Sequence, residues 1–151
     1  MCANRKDSFF RMFALTLALL LLVPTGIPTS AAEAQPRASY YLDSYNAYVY
    51  AAGSGKVRVY FHVVGTDYMD DIGALSIELY ESTDNSTWRL MKVFSHTAYT
   101  AMLGENEHFY GSYVEYPGTA GRYYKAYVCI WAGKDGGGDT RYFWTNSEPA
   151  S

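Results

Sequence analysis

The sequence predicts an all-β fold: an antiparallel β-sandwich of immunoglobulin or fibronectin type III kind, with about seven strands. Three observations lead there. Hydrophobicity alternates with period two along most of the chain after residue 45, and no convincing helical spacing occurs. Turn residues recur about every eight to twelve positions. Sixteen of the 151 residues are tyrosine, a side chain that suits a pleated, half-buried surface.

The elements follow in order. Residues 46–52 read as a strand, and Gly53-Ser54-Gly55 as the turn after it. Residues 56–65 place Val57, Val59, Phe61 and Val63 on one face and Arg58, Tyr60 and His62 on the other, the pattern of a half-buried antiparallel strand. Residues 66–73 (TDYMDDIG) read as an acidic loop. Residues 74–82 form the next strand, with Leu75, Ile77 and Leu79 inward, and TDNST at 83–87 is turn chemistry. Residues 88–95 are a strand and 96–105 a longer connection. Strands at 108–116, 122–132 and 140–146 complete the set, separated by PGTAG and by the hairpin loop GKDGGGD at 133–139. In the strand at 122–132, Tyr124, Ala126, Val128 and Ile130 oppose Tyr123, Lys125, Tyr127, Cys129 and Trp131. Gly121-x-x-Tyr124-x-Ala126 looks like the tyrosine corner that opens strand F of a sandwich. A jelly roll or small barrel is the alternative.

The chain begins as exported proteins do. Arg5, Lys6 and Arg11 precede an apolar run at 12–23, Pro24 and Gly26 end it, and Ala32-Glu33-Ala34 fits a signal-peptidase site. Residues 1–34 are thus expected to be a cleaved signal peptide, cut after Ala34 or, second, after Ala32. A run this short falls below the roughly 20 residues that span a bilayer. The expected layout is a lead-in at 35–44, a domain at 45–147 and a tail at 148–151, secreted and without stable membrane insertion.

Removing Arg5, Lys6, Arg11, Asp7 and Glu33 leaves nine basic and thirteen acidic residues, a net charge of −4. Such a chain has no basic stripe for phosphates, so nucleic acid is an unexpected partner. Cys2 departs with the leader and Cys129 is left without an intramolecular partner.

Two stretches, GTDYMDDIGALSIELYESTDNSTW (65–88) and GTAGRYYKAYVCIWAGKDGGGDTRYFWT (118–145), resemble a family of small secreted proteins of unknown function from Gram-positive, chiefly clostridial, bacteria. The resemblance implies export and bacterial origin. It brings no activity, ligand or catalytic residue.

Motif chemistry is sparse. Gly53-Ser54-Gly55 is neither a nucleophile elbow nor a phosphate loop. His62, His96 and His108 lack metal-ligand spacing. Asp67, Asp70 and Asp71, Glu105 and Glu107, and Asp135 and Asp139 fall in loops that a sandwich gathers at one end. Turn geometry and solubility explain acids in such loops. The sharper reading is a calcium site of Asp67, Asp70, Asp71, Asp135 and Asp139. The aromatics suggest a contact surface, with Tyr123, Tyr127 and Trp131 spaced along one strand face and Tyr80 and Trp144, or Tyr142, joining from neighbouring strands. Cross-strand pairing alone also explains aromatics in a sheet.

These features give the expectation of a non-catalytic binding or adhesion module for a glycan or cell-surface protein, through Tyr80, Tyr123, Tyr127, Trp131 and Trp144. No enzyme activity or cofactor is expected. A self-assembling structural protein is the alternative, and a glycosidase-like enzyme built on the loop acids is the second.

Overall fold

The computed structural model describes residues 39–151, so the leader and its cleavage site lie outside the described residues. Seven strands form: β1 (Leu42–Gly53), β2 (Lys56–Ser82), β3 (Arg89–Ser95), β4 (Leu103–Tyr116), β5 (Tyr123–Lys134), β6 (Gly137–Trp144) and β7 (Glu148–Pro149). A single 3-10 turn, Thr100–Met102, precedes β4. All pairings are antiparallel, and the strands belong to one sheet where two packed sheets were expected.

The reason is β2, which runs without a break for 27 residues. Its first half lies between β1 and β4, with Tyr48 opposite Tyr60 and Tyr60 opposite Tyr113. Its second half lies between β5 and β3, with Ile77 opposite Val128 and Phe94. β6 then extends the sheet beyond β5. The two halves share one strand, so the sheet curls to bury its inner face. Val57, Val59, Phe61, Val63, Ile77, Leu79, Tyr124, Ala126, Val128 and Ile130 enter a single core. Full burial of each large apolar side chain contributes about 1.5–3 kcal/mol.

The expected loop at 66–73 is therefore strand. A register shift between Val64 and Met69 lets the polar stretch cross, and Met69 and Ile72 are buried while Asp67, Asp70 and Asp71 point to solvent. Around Asp71–Gly73, β4 pairs on one side and β5 on the other, so the backbone groups are satisfied although the side chains are polar. A second register shift, between Ala74 and Ser76, corrects another expectation. Ala74 takes the core position and Leu75 is only half-buried, because the extra residue of the bulge reverses the alternation there.

Turn chemistry behaves as its residues dictate. Ser54 and Gly55 both hold positive φ (54° and 76°), as do Asp135 and Gly136 (53° and 78°). Two positive values in a two-residue loop make the type I′ hairpin turn that matches strand twist. The second of these shortens the expected loop at 133–139 to Asp135-Gly136, because Gly137–Trp144 already pairs with β5. The expected tail is also structured. Ala150 is buried, its N–H donates to the Arg122 carbonyl, and the Gly55 N–H donates to the Ser151 carbonyl. No helix among the described residues is long and apolar enough to cross a membrane.

Candidate functional site

The aromatic residues on the outer face of β5 and β6 form a continuous surface. Tyr127 lies opposite Trp144, and Cys129 opposite Tyr142. The Tyr127 ring stands 4.9 Å from the Trp144 ring and 6.0 Å from that of Tyr142, the latter in near-parallel stacking. From β2, Tyr80 closes on Trp144 at 5.2 Å, and its hydroxyl donates to Glu78 Oε2 at 2.7 Å. That bond, ahead of desolvation, raises the Tyr80 pKa and keeps the phenol neutral. Lys125 completes the group, its Nζ 4.3 Å from the Trp88 ring centroid and 4.5 Å from that of Trp144. A cation between two indole faces is held by their quadrupoles.

The structure thus joins Tyr80, Tyr127 and Trp144, and adds Tyr142, Lys125 and Trp88. It does not bring Tyr123 or Trp131 into the group. Tyr123 sits at the β7 end, opposite Pro149. Trp131 packs over the backbone of Gly133 and Gly138, where a Cβ on Gly138 would fall 2.1 Å from the indole. Lys125 was visible on the outward face of its strand. Trp88 was not visible as a member, because it precedes β3 and only the sheet's curvature brings it to Lys125. Tyr142 and Trp144 remain 61% and 49% exposed, so these rings face solvent and are not core. Beneath them Cys129 is buried, and desolvation pushes its thiol pKa up.

The acidic residues divide into two places. Asp67 pairs with Lys134 at 2.5 Å, and this bond holds the Asp67 carboxyl below its usual range. Asp70 Oδ2 accepts from the Asp135 N–H at 2.8 Å, tying the β5–β6 hairpin to β2. Asp71 faces Gly133 on one side and Glu105 on the other in the strand register. Asp67, Asp70 and Asp71 thus belong to a strand and not to the expected loop. Asp139 stands apart. Its Oδ2 accepts from Ser39 Oγ and from the Tyr40 and Tyr41 N–H groups, at 2.6, 2.9 and 3.0 Å. No group of three or more His, Cys, Asp or Glu among the described residues is arranged to hold a metal ion. Of the acids expected to hold calcium, Asp67, Asp70 and Asp139 direct oxygens to hydrogen bonds within the protein.

Asp139 therefore anchors the entry to β1. The Ser39 hydrogen bond is the first cause of its lowered pKa, with the two backbone amides adding to it. A lowered folded-state pKa means that the ionised form is stabilised on folding. This contribution is fully present above the unfolded aspartate value of about 3.9 and is lost as pH falls through the folded value. Asp139→Ala is expected to remove about 1–2 kcal/mol, the scale of lost charge-assisted hydrogen bonds. Hydrogen exchange checks it: the Tyr40 and Tyr41 amides should exchange faster in the variant at pH 7. The difference from the parent should vanish at low pH.

Tyr124 bonds back to the PGTAG turn that precedes its strand. Its ring is fully buried, its hydroxyl accepts from the Thr119 N–H at 2.9 Å, and it donates to Glu81 Oε2. Burial, followed by Glu81, raises its pKa.

No family model matches the chain, and no curated protein does. Among solved structures, the chain is similar to a family 76 glycoside hydrolase from a bovine Bacteroides thetaiotaomicron strain, with 16% identity and a TM-score of 0.32. The match covers 70% of this chain and 20% of that one, so the chain spans about a fifth of the neighbour's length. The expectation of a non-catalytic binding or adhesion module is corrected here: what the chain is weakly similar to is a glycoside hydrolase. At that TM-score the likeness assigns neither fold nor reaction to this chain.

Proposed function

We propose that this protein has a glycan-related role, in which the outer face of β2, β5 and β6 meets saccharide rings. The observation that carries the reading is the run of ring contacts Tyr142–Tyr127–Trp144–Tyr80, spaced 4.9–6.0 Å, in which Tyr142 and Trp144 are exposed and Tyr127 and Tyr80 half-buried. One face of a pyranose presents C–H bonds, which favour the negative face of an aromatic ring. The hydroxyls around its rim need donors and acceptors, and Lys125, against the Trp144 ring, and Glu78, bonded to the Tyr80 hydroxyl, lie beside the same rings. An exposed apolar patch rimmed by polar groups marks a contact site.

The test is native affinity electrophoresis of the purified protein through gels containing hydroxyethyl cellulose, xylan or mannan. At least one polymer should retard the protein. Trp144→Ala and Tyr127→Ala should weaken that retardation by about tenfold or more, equivalent to roughly 1.4 kcal/mol, with unchanged circular dichroism. Reducing ends measured in parallel samples score cleavage separately from capture. Retardation by none of the polymers, or equal retardation of both variants and the parent, overturns the reading.

A further inference from the structure

A concavity lies where β2 ends, at Glu81 and Ser82. It has a volume of about 340 Å³ and is lined by Glu81, Ser82, Thr83, Thr87, Arg89 and Arg122. The faces are set by register: Tyr80 opposes the outward Lys125, whereas Glu81 opposes the buried Tyr124. The pocket shares no lining residue with the aromatic surface, although Thr87 and Arg89 flank Trp88 in sequence.

Its walls are positioned from several sides. Asp84 folds the loop at 83–88 by accepting from Ser82 Oγ and from the Ser86 and Thr87 N–H groups, at 2.8–2.9 Å. Those bonds take up the Ser86 and Thr87 amides and hold the loop whose Thr83 and Thr87 line the pocket. Glu81 is only 12% exposed, and its carboxylate is oriented at both oxygens, by the Tyr124 hydroxyl and by Arg89 at 3.4 Å. Arg122 makes no ion pair among the described residues. One carboxylate and two guanidiniums leave the lining with a single net positive charge.

We propose that this pocket binds a small monoanionic polyol of the sugar-acid class. Arg122 takes the ligand carboxylate, for which its planar donor fork is suited. Thr83, Thr87 and the free lone pairs of Glu81 take ligand hydroxyls. The volume sits at the low end for small-molecule sites, about 300 Å³, and fits one ring. A phosphate dianion would face the Glu81 carboxylate, and a neutral sugar would leave Arg122 unmatched.

Titration of the ¹⁵N-labelled protein with glucuronate, glucose or inorganic phosphate tests the assignment. Glucuronate should shift the Ser82, Thr83 and Thr87 amides saturably, with a midpoint below about 10 mM, the weak end of small-ligand affinities. Arg122→Gln should raise that midpoint about tenfold with the rest of the spectrum unchanged, whereas Trp144→Ala should leave it unaltered. The proposal is overturned if glucuronate gives no saturable shift. It is overturned equally if glucose or phosphate binds as well as glucuronate, or if Arg122→Gln binds like the parent. Failure here leaves the aromatic-face reading standing, because Trp144→Ala separates the two.

Discussion

Gly73→Ala is expected to destabilise the protein by about 3 kcal/mol or more, the scale of combined backbone strain and steric conflict. Gly73 lies in β2 where β4 and β5 pair with it from opposite sides, at Leu103 and Trp131. Its φ is 148°, and a Cβ built there would fall 2.2 Å from the Met102 carbonyl oxygen. That oxygen belongs to backbone, so no side-chain rotation relieves the clash. Met102 is itself buried at the end of the 3-10 turn, and moving its carbonyl would unseat its side chain from the core. A domain of this size has about 5–15 kcal/mol of stability in all. A melting temperature lower by roughly 15 °C is therefore the expected reading. Gly121→Ala is the matched control: its φ is also positive, 79°, but nothing lies within 4 Å of the new Cβ. It should cost about 1–2 kcal/mol, the strain of a left-handed alanine alone. Equal melting temperatures for the two variants would show that the Met102 contact does not matter.

Tyr124→Phe is expected to cost about 2 kcal/mol, within the range for leaving buried polar groups unpaired. The lost hydroxyl strands two partners at once, the Thr119 N–H and one oxygen of Glu81. The ring itself remains, so no cavity opens. Gly118 packs against that hydroxyl, where a Cβ would sit 2.8 Å away, and Gly55 lies against the Gly118 carbonyl. Loss of the hydroxyl thus loosens the joint between the PGTAG turn and the β1–β2 hairpin. The pH dependence distinguishes this from mere repacking. A phenol whose pKa is raised on folding binds its proton more tightly in the native state, so stability falls as pH rises above the unfolded value of about 10. Urea unfolding at pH 9 and pH 11 should show that loss in the parent and a shallower one in Tyr124→Phe. Parallel slopes would mean that Tyr124 does not titrate with unfolding.

Some elements were legible because a single strand carries its own evidence. Val57, Val59, Phe61 and Val63 alternate with polar residues, and all four are core. Tyr124, Ala126, Val128 and Ile130 do the same in β5. Residues 66–73 misled for a physical reason. Asp67, Asp70 and Asp71 are loop-like side chains, but pairing is made by backbone, and from Asp71 to Gly73 strands lie on both sides. Leu75 misled because a bulge changes phase without leaving a mark in composition. For the candidate site, the placement of Tyr80, Tyr127 and Trp144 on outward faces followed from alternation, whereas the exclusion of Trp131 depended on two glycines that let it lie against backbone.

By itself, then, the sequence determined the all-β class, the inner faces of most strands and the turn positions, since each depends on neighbours within a few residues. The tertiary structure decided that β2 is one strand of 27 residues and that the sheet is single. It also decided that Lys125 meets both Trp88 and Trp144, and that Glu81, Arg89 and Arg122 share a pocket. These last features arise from pairing between segments tens of residues apart. Register across the curled sheet sets which side chains meet, and alternation within any one segment carries no information about it.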